Sequence, residues 1–247
     1  MQDSPMRVAI TGASGLIGRV LAGGLDRSRF DPILLGRDDA DITDLVALTR
    51  AFAGSDAVVH LAASSQIDAG WDELVGPNLI GARNAFEAAR RAGVRRVVFA
   101  SSNHAVGMYL LDPETFADPD RPRLVTAGDP VRPDSLYGAS KAWGEALGRM
   151  YAELHGLEVV CLRIGWVTDD DRPPQPSQIV RHTPEASRRG PAMWLSHRDC
   201  VSLIEASLTS DIGFAIVNGV GDNPGRWFSL EEGRDLLGWW PEDSLDR

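Results

Sequence analysis

The chain has 247 residues, enough for one large α/β unit to bury a substantial core. With 43% apolar and 24% charged residues, it has the composition of a folded protein and not of a disordered one. Its net charge of −10 argues against nucleic acid or an anionic membrane as a partner, and no stretch approaches the length of an apolar membrane span.

The opening residues Met1-Gln2-Asp3-Ser4-Pro5 lack the basic-then-apolar pattern of a secretion signal, so a cytoplasmic location is expected. Arg7-Val8-Ala9-Ile10 reads as the first strand and runs into Thr11-Gly12-Ala13-Ser14-Gly15-Leu16-Ile17-Gly18. A helical stripe follows, formed by Leu16-Ile17, Val20-Leu21 and Leu25. Glycines at a strand-to-helix junction allow a tight turn, close approach of a pyrophosphate and close helix packing, with the helix N-terminus facing the phosphates. The pattern points to a dinucleotide cofactor.

Pro32-Ile33-Leu34-Leu35 is the second predicted strand, and Gly36-Arg37-Asp38-Asp39 follows it. A carboxylate at this place reads a ribose 2′-hydroxyl, whereas a basic residue suits a 2′-phosphate. Gly36 followed by Arg37 tilts the expectation to NADP over NAD; a shift of one residue would present Asp38 or Asp39 and reverse it. Ala57-Val58-Val59-His60, Arg96-Val97-Val98-Phe99 and Glu158-Val159-Val160-Cys161 are further strands with near-continuous apolar character. Strands alternating with helices predict a Rossmann-like, doubly wound parallel sheet, taken here as one domain over residues 1–247 with a small C-terminal substrate-binding portion. His60 ends an apolar strand and is assigned no catalytic role.

Two long, proline-bearing connections, near 104–133 and 166–200, follow strand ends and are expected to wall the substrate site. Between them, Tyr137 and Lys141 lie one helical turn apart, an arrangement in which an ammonium, helped by the positive charge of an oxidised nicotinamide, lowers the phenol's pKa and readies it for proton transfer. Leu136, Trp143, Leu147, Met150 and Leu154 form a helical apolar stripe on the same segment. Ser229-Leu230-Glu231-Glu232 has capping-box spacing before a last short helix, and Trp239 and Trp240 beyond it read as packing residues. Cys161 and Cys200 sit in apolar settings without metal-ligand spacing, so buried thiols and no metal site are expected.

Taken in order, the glycine motif, His60-Leu61-Ala62-Ala63, Asn78 in Asn-x-x-Gly, Phe99-Ala100-Ser101-Ser102-Asn103-His104 and Tyr137/Lys141 resemble the extended short-chain dehydrogenase/reductase superfamily. This is the NAD-dependent epimerase/dehydratase group. The resemblance implies Ser102, Tyr137 and Lys141 as the catalytic set. It implies cofactor contacts from Gly12, Ser14, Gly15, Leu16, Ile17, Gly18, Arg37, Asp41, Ile42, Leu61, Ala62, Ala63, Asn78, Tyr137, Lys141 and Ile164. A narrower likeness, carried by Leu136-Tyr137-Gly138, Arg163-Ile164-Gly165 and Trp194-Leu195-Ser196-His197-Arg198-Asp199, is to uronate dehydrogenases and the short-chain type of glucose-6-phosphate dehydrogenases. It implies oxidation of a sugar's anomeric carbon to a lactone, with Ser65, Ser102, Asn103, His104 and Tyr137 on the sugar and Arg189 on an anionic substituent. Trp166 departs from the uronate dehydrogenase pattern, and the chain is short for an enzyme that holds a sugar nucleotide. A carbonyl reductase, a sugar epimerase and a non-catalytic dinucleotide sensor are the alternatives. The superfamily also implies that helices around Asn78–Arg91 and Tyr137–His155 can pair in a homodimer, with a monomer left open.

Overall fold

The apolar runs become strands, and the computed structural model describes residues 4–118, 121–175 and 189–246. In chain order these are β1 (Met6–Thr11), α1 (Leu16–Gly24), β2 (Phe30–Leu35), α2 (Leu45–Ala51), β3 (Ala57–His60), α3 (Trp71–Leu74), α4 (Gly81–Ala92), β4 (Arg96–Ser102), α5 (Leu136–His155), β5 (Glu158–Ile164), α6 (His197–Thr209), β6 (Phe214–Gly219) and α7 (Glu231–Leu237). The sheet is parallel throughout, in the order β2-β1-β3-β4-β5-β6. Its direction of growth reverses between β1 and β3, and at that switch point the carboxyl ends of the strands open into a crevice.

Alternate side chains of each strand serve opposite faces. Val8, Ile10, Val98, Val160 and Leu162 face α1 and α6, whereas Ala9, Val58, Val97, Phe99, Val159 and Cys161 face α2, α4 and α5. Both faces are covered, so the strands carry the unbroken apolar character that identified them. The sheet has a sixth strand beyond the five read from sequence: Phe214–Gly219 pairs with β5, and α6 leads into it.

Two sequence expectations fail on packing grounds. On α5, Leu136, Trp143, Met150 and Leu154 face outward, 51%, 45%, 37% and 71% exposed, and of that stripe only Leu147 is buried. The buried face is instead Tyr137, Gly138, Ser140, Lys141, Gly144, Glu145, Leu147, Gly148 and Tyr151, because small residues let the helix lie close on the sheet. A Cβ on Gly144 would stand 2.1 Å from the Phe99 ring. The capping box is the second. The Ser229 hydroxyl accepts from the Glu231 backbone N–H at 3.2 Å, but a Glu232 carboxylate oxygen accepts from Ala127 at 2.8 Å, and the Ser229 N–H donates to the Val125 carbonyl. The tertiary contact with residues 125–127 has replaced the local one.

That contact organises the chain's last third. Val125 forms a bridge with Phe228, so the 104–133 connection is tied to the C-terminal segment and Val125, Phe228 and Trp227 are buried. Ser196 caps α6 by accepting from Asp199 at 3.1 Å, and the Asp199 carboxylate accepts the backbone N–H groups of Glu242 and Asp243, both at 2.9 Å. The Trp194–Asp199 motif thus fastens the C-terminus. Trp239 is buried with its indole N–H on Ser202, as expected of a packing residue, whereas Trp240 is 40% exposed.

Candidate active site

The crevice is a cavity of about 1350 Å³ running along the carboxyl edge of the sheet from Gly12 to Trp227. Gly12, at φ +71°, turns the chain out of β1 where a Cβ would lie 2.7 Å from the Ala62 nitrogen. A Cβ on Gly18 would lie 2.5 Å from the Gly12 carbonyl, so the turn and α1 close on each other only without side chains. Gly15 caps α1 with no side-chain acceptor, leaving the first N–H groups of the helix for a ligand in the cavity. Leu61, Ala62 and Ala63 cross above this turn, while Arg37, Asp41 and Ile42 line the end beyond β2. This glycine cradle, the bare helix terminus and the size of the cavity fit a dinucleotide.

At the adenosine end, a carboxylate oxygen of Asp39 accepts the Gly36 N–H at 2.8 Å, 3.4 Å from where a Cβ on residue 36 would stand. Arg37 lines the cavity at this end, and neither Asp38 nor Asp39 is among its walls. Arg19, a solvent-facing residue, donates to the Ser14 carbonyl at 2.7 Å and pairs with Asp169 at 3.2 Å.

Ser102 is the last residue of β4, and its hydroxyl accepts from the His104 N–H at 3.2 Å as the chain enters a 3₁₀ turn. Tyr137 stands in the first turn of α5, which the Ser135 hydroxyl caps by accepting from Gly138 at 3.0 Å. The Gly138 backbone presses on the 3₁₀ turn: a Cβ there would lie 2.2 Å from the His104 carbonyl. This approach brings the Tyr137 phenol close to the Ser102 hydroxyl, near enough for the hydroxyl to lower the phenol's pKa. Lys141 is buried one turn further on and donates to the Ala100 carbonyl at 2.7 Å, with its ammonium 5.6 Å from the Tyr137 ring centre.

The electrostatics of Tyr137 in the chain alone run opposite to the direction expected with an oxidised nicotinamide bound. Burial raises its pKa above the ordinary phenol value, the Ser102 hydroxyl lowers it and the Asp134 charge raises it again, so the net direction is up. Burial also pulls Lys141 down to about 8. Burial therefore sets the direction, and the chain by itself holds Tyr137 as an acid.

The predicted substrate contacts divide. Ser65, Asn103 and His104 line the cavity with Ser102 and Tyr137. His104 stands edge-on to Tyr137 and its Nδ1 lies 2.7 Å from an Asp134 carboxylate oxygen. Arg189 does not line the cavity; its guanidinium lies 3.3 Å over the Phe116 ring. Its neighbour Arg188 and the stretch 176–188 of the second connection lie outside the described residues, as do 119–120 of the first.

Residues 8–178 match the NAD dependent epimerase/dehydratase family. The chain belongs to that family. It is 40% identical to the L-arabinose 1-dehydrogenase (NAD(P)(+)) of Haloferax volcanii over 96% of this chain and 97% of that protein. It is 37% identical to the NAD-dependent glucose-6-phosphate dehydrogenase of the same organism, over 98% and 94% respectively. Among solved structures, a tyrosine-to-alanine variant of uronate dehydrogenase from Agrobacterium tumefaciens complexed with NAD superposes with TM-score 0.76 at 30% identity, covering 98% of this chain and 86% of the other.

In this epimerase/dehydratase-family chain, Asn78 stands behind the cavity wall and not on it. It is buried in a π-helical stretch, Val75–Ile80. Its amide accepts the Ser64 N–H at 2.8 Å and donates to the Ser64 carbonyl at 3.0 Å and the Ser140 hydroxyl at 2.9 Å. With both ends of the amide engaged, it braces the loop after β3 against α5. His60 is also a brace: its Nδ1 lies 2.8 Å from the Thr11 hydroxyl, and burial, then the Lys141 charge, push its pKa down to about 3. A buried pair backs the catalytic strand. Glu145 receives two hydrogen bonds from Arg163, each 2.9 Å, and one from the Ser101 hydroxyl at 2.6 Å.

Leu110 and Met193 come from the two connections expected to wall the site, whereas sequence reasoning misses Asp134 and Trp227 as cavity walls. No motif marks them, and each reaches the site through folding of a connection or of the C-terminal segment. The nearest signal for Asp134 was its place three residues before Tyr137, at the start of a helix. Cys161 and Cys200 are buried free thiols, burial being the leading cause that raises both pKa values, and the described residues contain no metal-binding cluster.

Proposed function

We propose that this chain oxidises the anomeric carbon of a cyclic aldose, uronic acid or sugar phosphate to the lactone, with NADP or NAD as co-substrate. The observation that carries the reading is the convergence of Ser102, Tyr137 and Lys141 at the far end of the same cavity that begins at the Gly12–Gly18 turn. The activities named for the relatives support it.

A nicotinamide dinucleotide bound along the cavity supplies the hydride acceptor and, when oxidised, a positive charge that favours phenolate. Tyr137 then takes the proton of the anomeric hydroxyl. Ser102 donates a hydrogen bond to the oxygen as it becomes a carbonyl. Lys141 holds its ammonium behind the phenol, fixed by the Ala100 carbonyl, and Asp134 orients His104. General-base action of this kind contributes about 10²–10⁴ in rate. Tyr137→Phe is expected to lower turnover by ~10²-fold or more while titration calorimetry shows unchanged dinucleotide affinity. A fully active variant would remove Tyr137 from the mechanism.

The outward apolar stripe of α5 supports homodimer formation through α4 and α5. Two buried reduced thiols fit a cytoplasmic setting, and no helix of the described residues is long and apolar enough to cross a membrane.

A further inference from the structure

Resting on that dehydrogenase reading, we infer that Glu145 is a positioning residue, which sets where Ser102 stands by fastening the ends of β4 and β5 to the helix that carries Tyr137. Tyr137, Lys141 and Glu145 recur every four residues along α5, so they share one face, and all three are buried. Three consecutive residues of β4 meet that face. The Lys141 ammonium donates to the Ala100 carbonyl at 2.7 Å, a Glu145 carboxylate oxygen accepts the Ser101 hydroxyl at 2.6 Å, and the Tyr137 phenol stands close to Ser102. Ser101 and Arg163 are register partners on β4 and β5. Glu145 accepts from both, Arg163 donating through Nε and Nη2 at 2.9 Å each.

Side chains alternate along a strand, so Ser101 and Arg163 turn to α5, while their successors Ser102 and Ile164, themselves register partners, line the cavity. One carboxylate thus pins both strands a single residue before the reacting end. Stability alone is a poor account of it. The Arg163 and Glu145 side chains are 1% and 3% exposed, and an apolar pair of similar volume at such a depth is often as stable or more so. What charged, two-pronged bonding adds is direction, since it fixes the angle between groups as well as their distance. Ser101 supplies the link to the chemistry: a shift of its hydroxyl is carried through one rigid peptide unit to Ser102. Glu145 is not among the cavity walls and acts through these neighbours.

The test is Ser101→Ala in the full chain, which removes the link but keeps the Glu145–Arg163 pair and the titratable groups beside Tyr137, namely Lys141, His104 and Asp134. Rates are measured with NAD⁺ and NADP⁺ on L-arabinose, galactose, glucose, glucose 6-phosphate and glucuronate. On whichever sugar the wild type oxidises, we expect kcat to fall ~10-fold, with KM, dinucleotide affinity and the urea midpoint close to wild type. A loosened Ser102 also lowers the Tyr137 pKa less. The acid limb of the kcat profile, where the base must lose its proton, should therefore move to higher pH. Glu145→Asp, which draws the carboxylate back by one methylene, should reproduce both changes and add little to Ser101→Ala in the double variant. Should Glu145→Asp fail to fold, Ser101→Ala decides alone. An unchanged kcat and acid limb in Ser101→Ala, or losses that add in full, overturn the inference and leave the dehydrogenase reading standing. So does a fall in kcat matched by equal losses of dinucleotide affinity and urea midpoint, because the pair would then only support the fold. If the wild type oxidises none of these sugars with either cofactor, the dehydrogenase reading falls and takes this inference with it.

Discussion

Burying the ammonium of Lys141 between Phe99, Tyr137 and the end of β4 lowers its pKa from 10.5 to about 8. The folded chain therefore binds the proton less tightly than the unfolded chain does. The cost is present in full below pH 8 and is relieved as pH rises toward 10.5, and it amounts to up to about 3 kcal/mol. Such a cost persists where a charge is needed for chemistry. Lys141→Met, which keeps the length and removes the charge, is expected to abolish turnover and yet to raise stability at pH 7 by about 1–3 kcal/mol in urea denaturation. A variant that loses both would show that the ammonium supports the fold through Ala100.

At the scale of elements, the site exists because α5 can approach the turn after β4. Gly138 and Gly144 are the points of contact, one against the His104 carbonyl and the other against Phe99. Gly138→Ala must push α5 away or displace His104, and a shift of about 1 Å between reacting groups can cost ~10²-fold in rate. A fall of that order in kcat, with dinucleotide binding retained in calorimetry, is the expected outcome. The opposite face of α5 carries Trp143 beside the exposed Leu136 and Met150. Light scattering of the wild type is expected to give twice the chain mass, and Trp143→Glu to give a monomer, since a charge in the centre of an apolar interface leaves it desolvated and unpaired.

For the whole molecule, acid stability is set by groups that folding keeps in one protonation state. His60 is held neutral, with its pKa near 3 against 6.5 in an exposed chain. Unfolding lets it take up a proton, so stability is lost as pH falls from 6.5 toward 3, by ~1.4 kcal/mol per unit where the difference is one full proton. Glu87 adds to the loss in a lower window. Hydrogen bonding from Arg90, outweighing the opposing effect of burial, holds it near 2 against 4.5. Between pH 6.5 and 4.5 the urea midpoint should therefore fall, and His60→Gln should flatten that fall although it weakens the protein overall.

The sheet was legible because each strand, covered on both faces, must be apolar throughout, and the glycine turn was legible because close backbone approach excludes every larger residue. Ser102, Tyr137 and Lys141 were singled out through the family resemblance, and the fold brings all three to one end of the cavity. The outward face of α5 was not, since a helix seated on glycines buries small residues and leaves its large ones to solvent, inverting the usual stripe. By itself, then, the sequence determined the α/β fold and the glycine turn, both written as local spacing, and pointed to the proposed trio of Ser102, Tyr137 and Lys141 through family resemblance. Only the tertiary structure decided that Asp134 and Trp227 wall the cavity and that Arg189 packs on Phe116, because those placements arise from contacts between segments as distant as Val125 and Phe228, whose pairing no local pattern encodes.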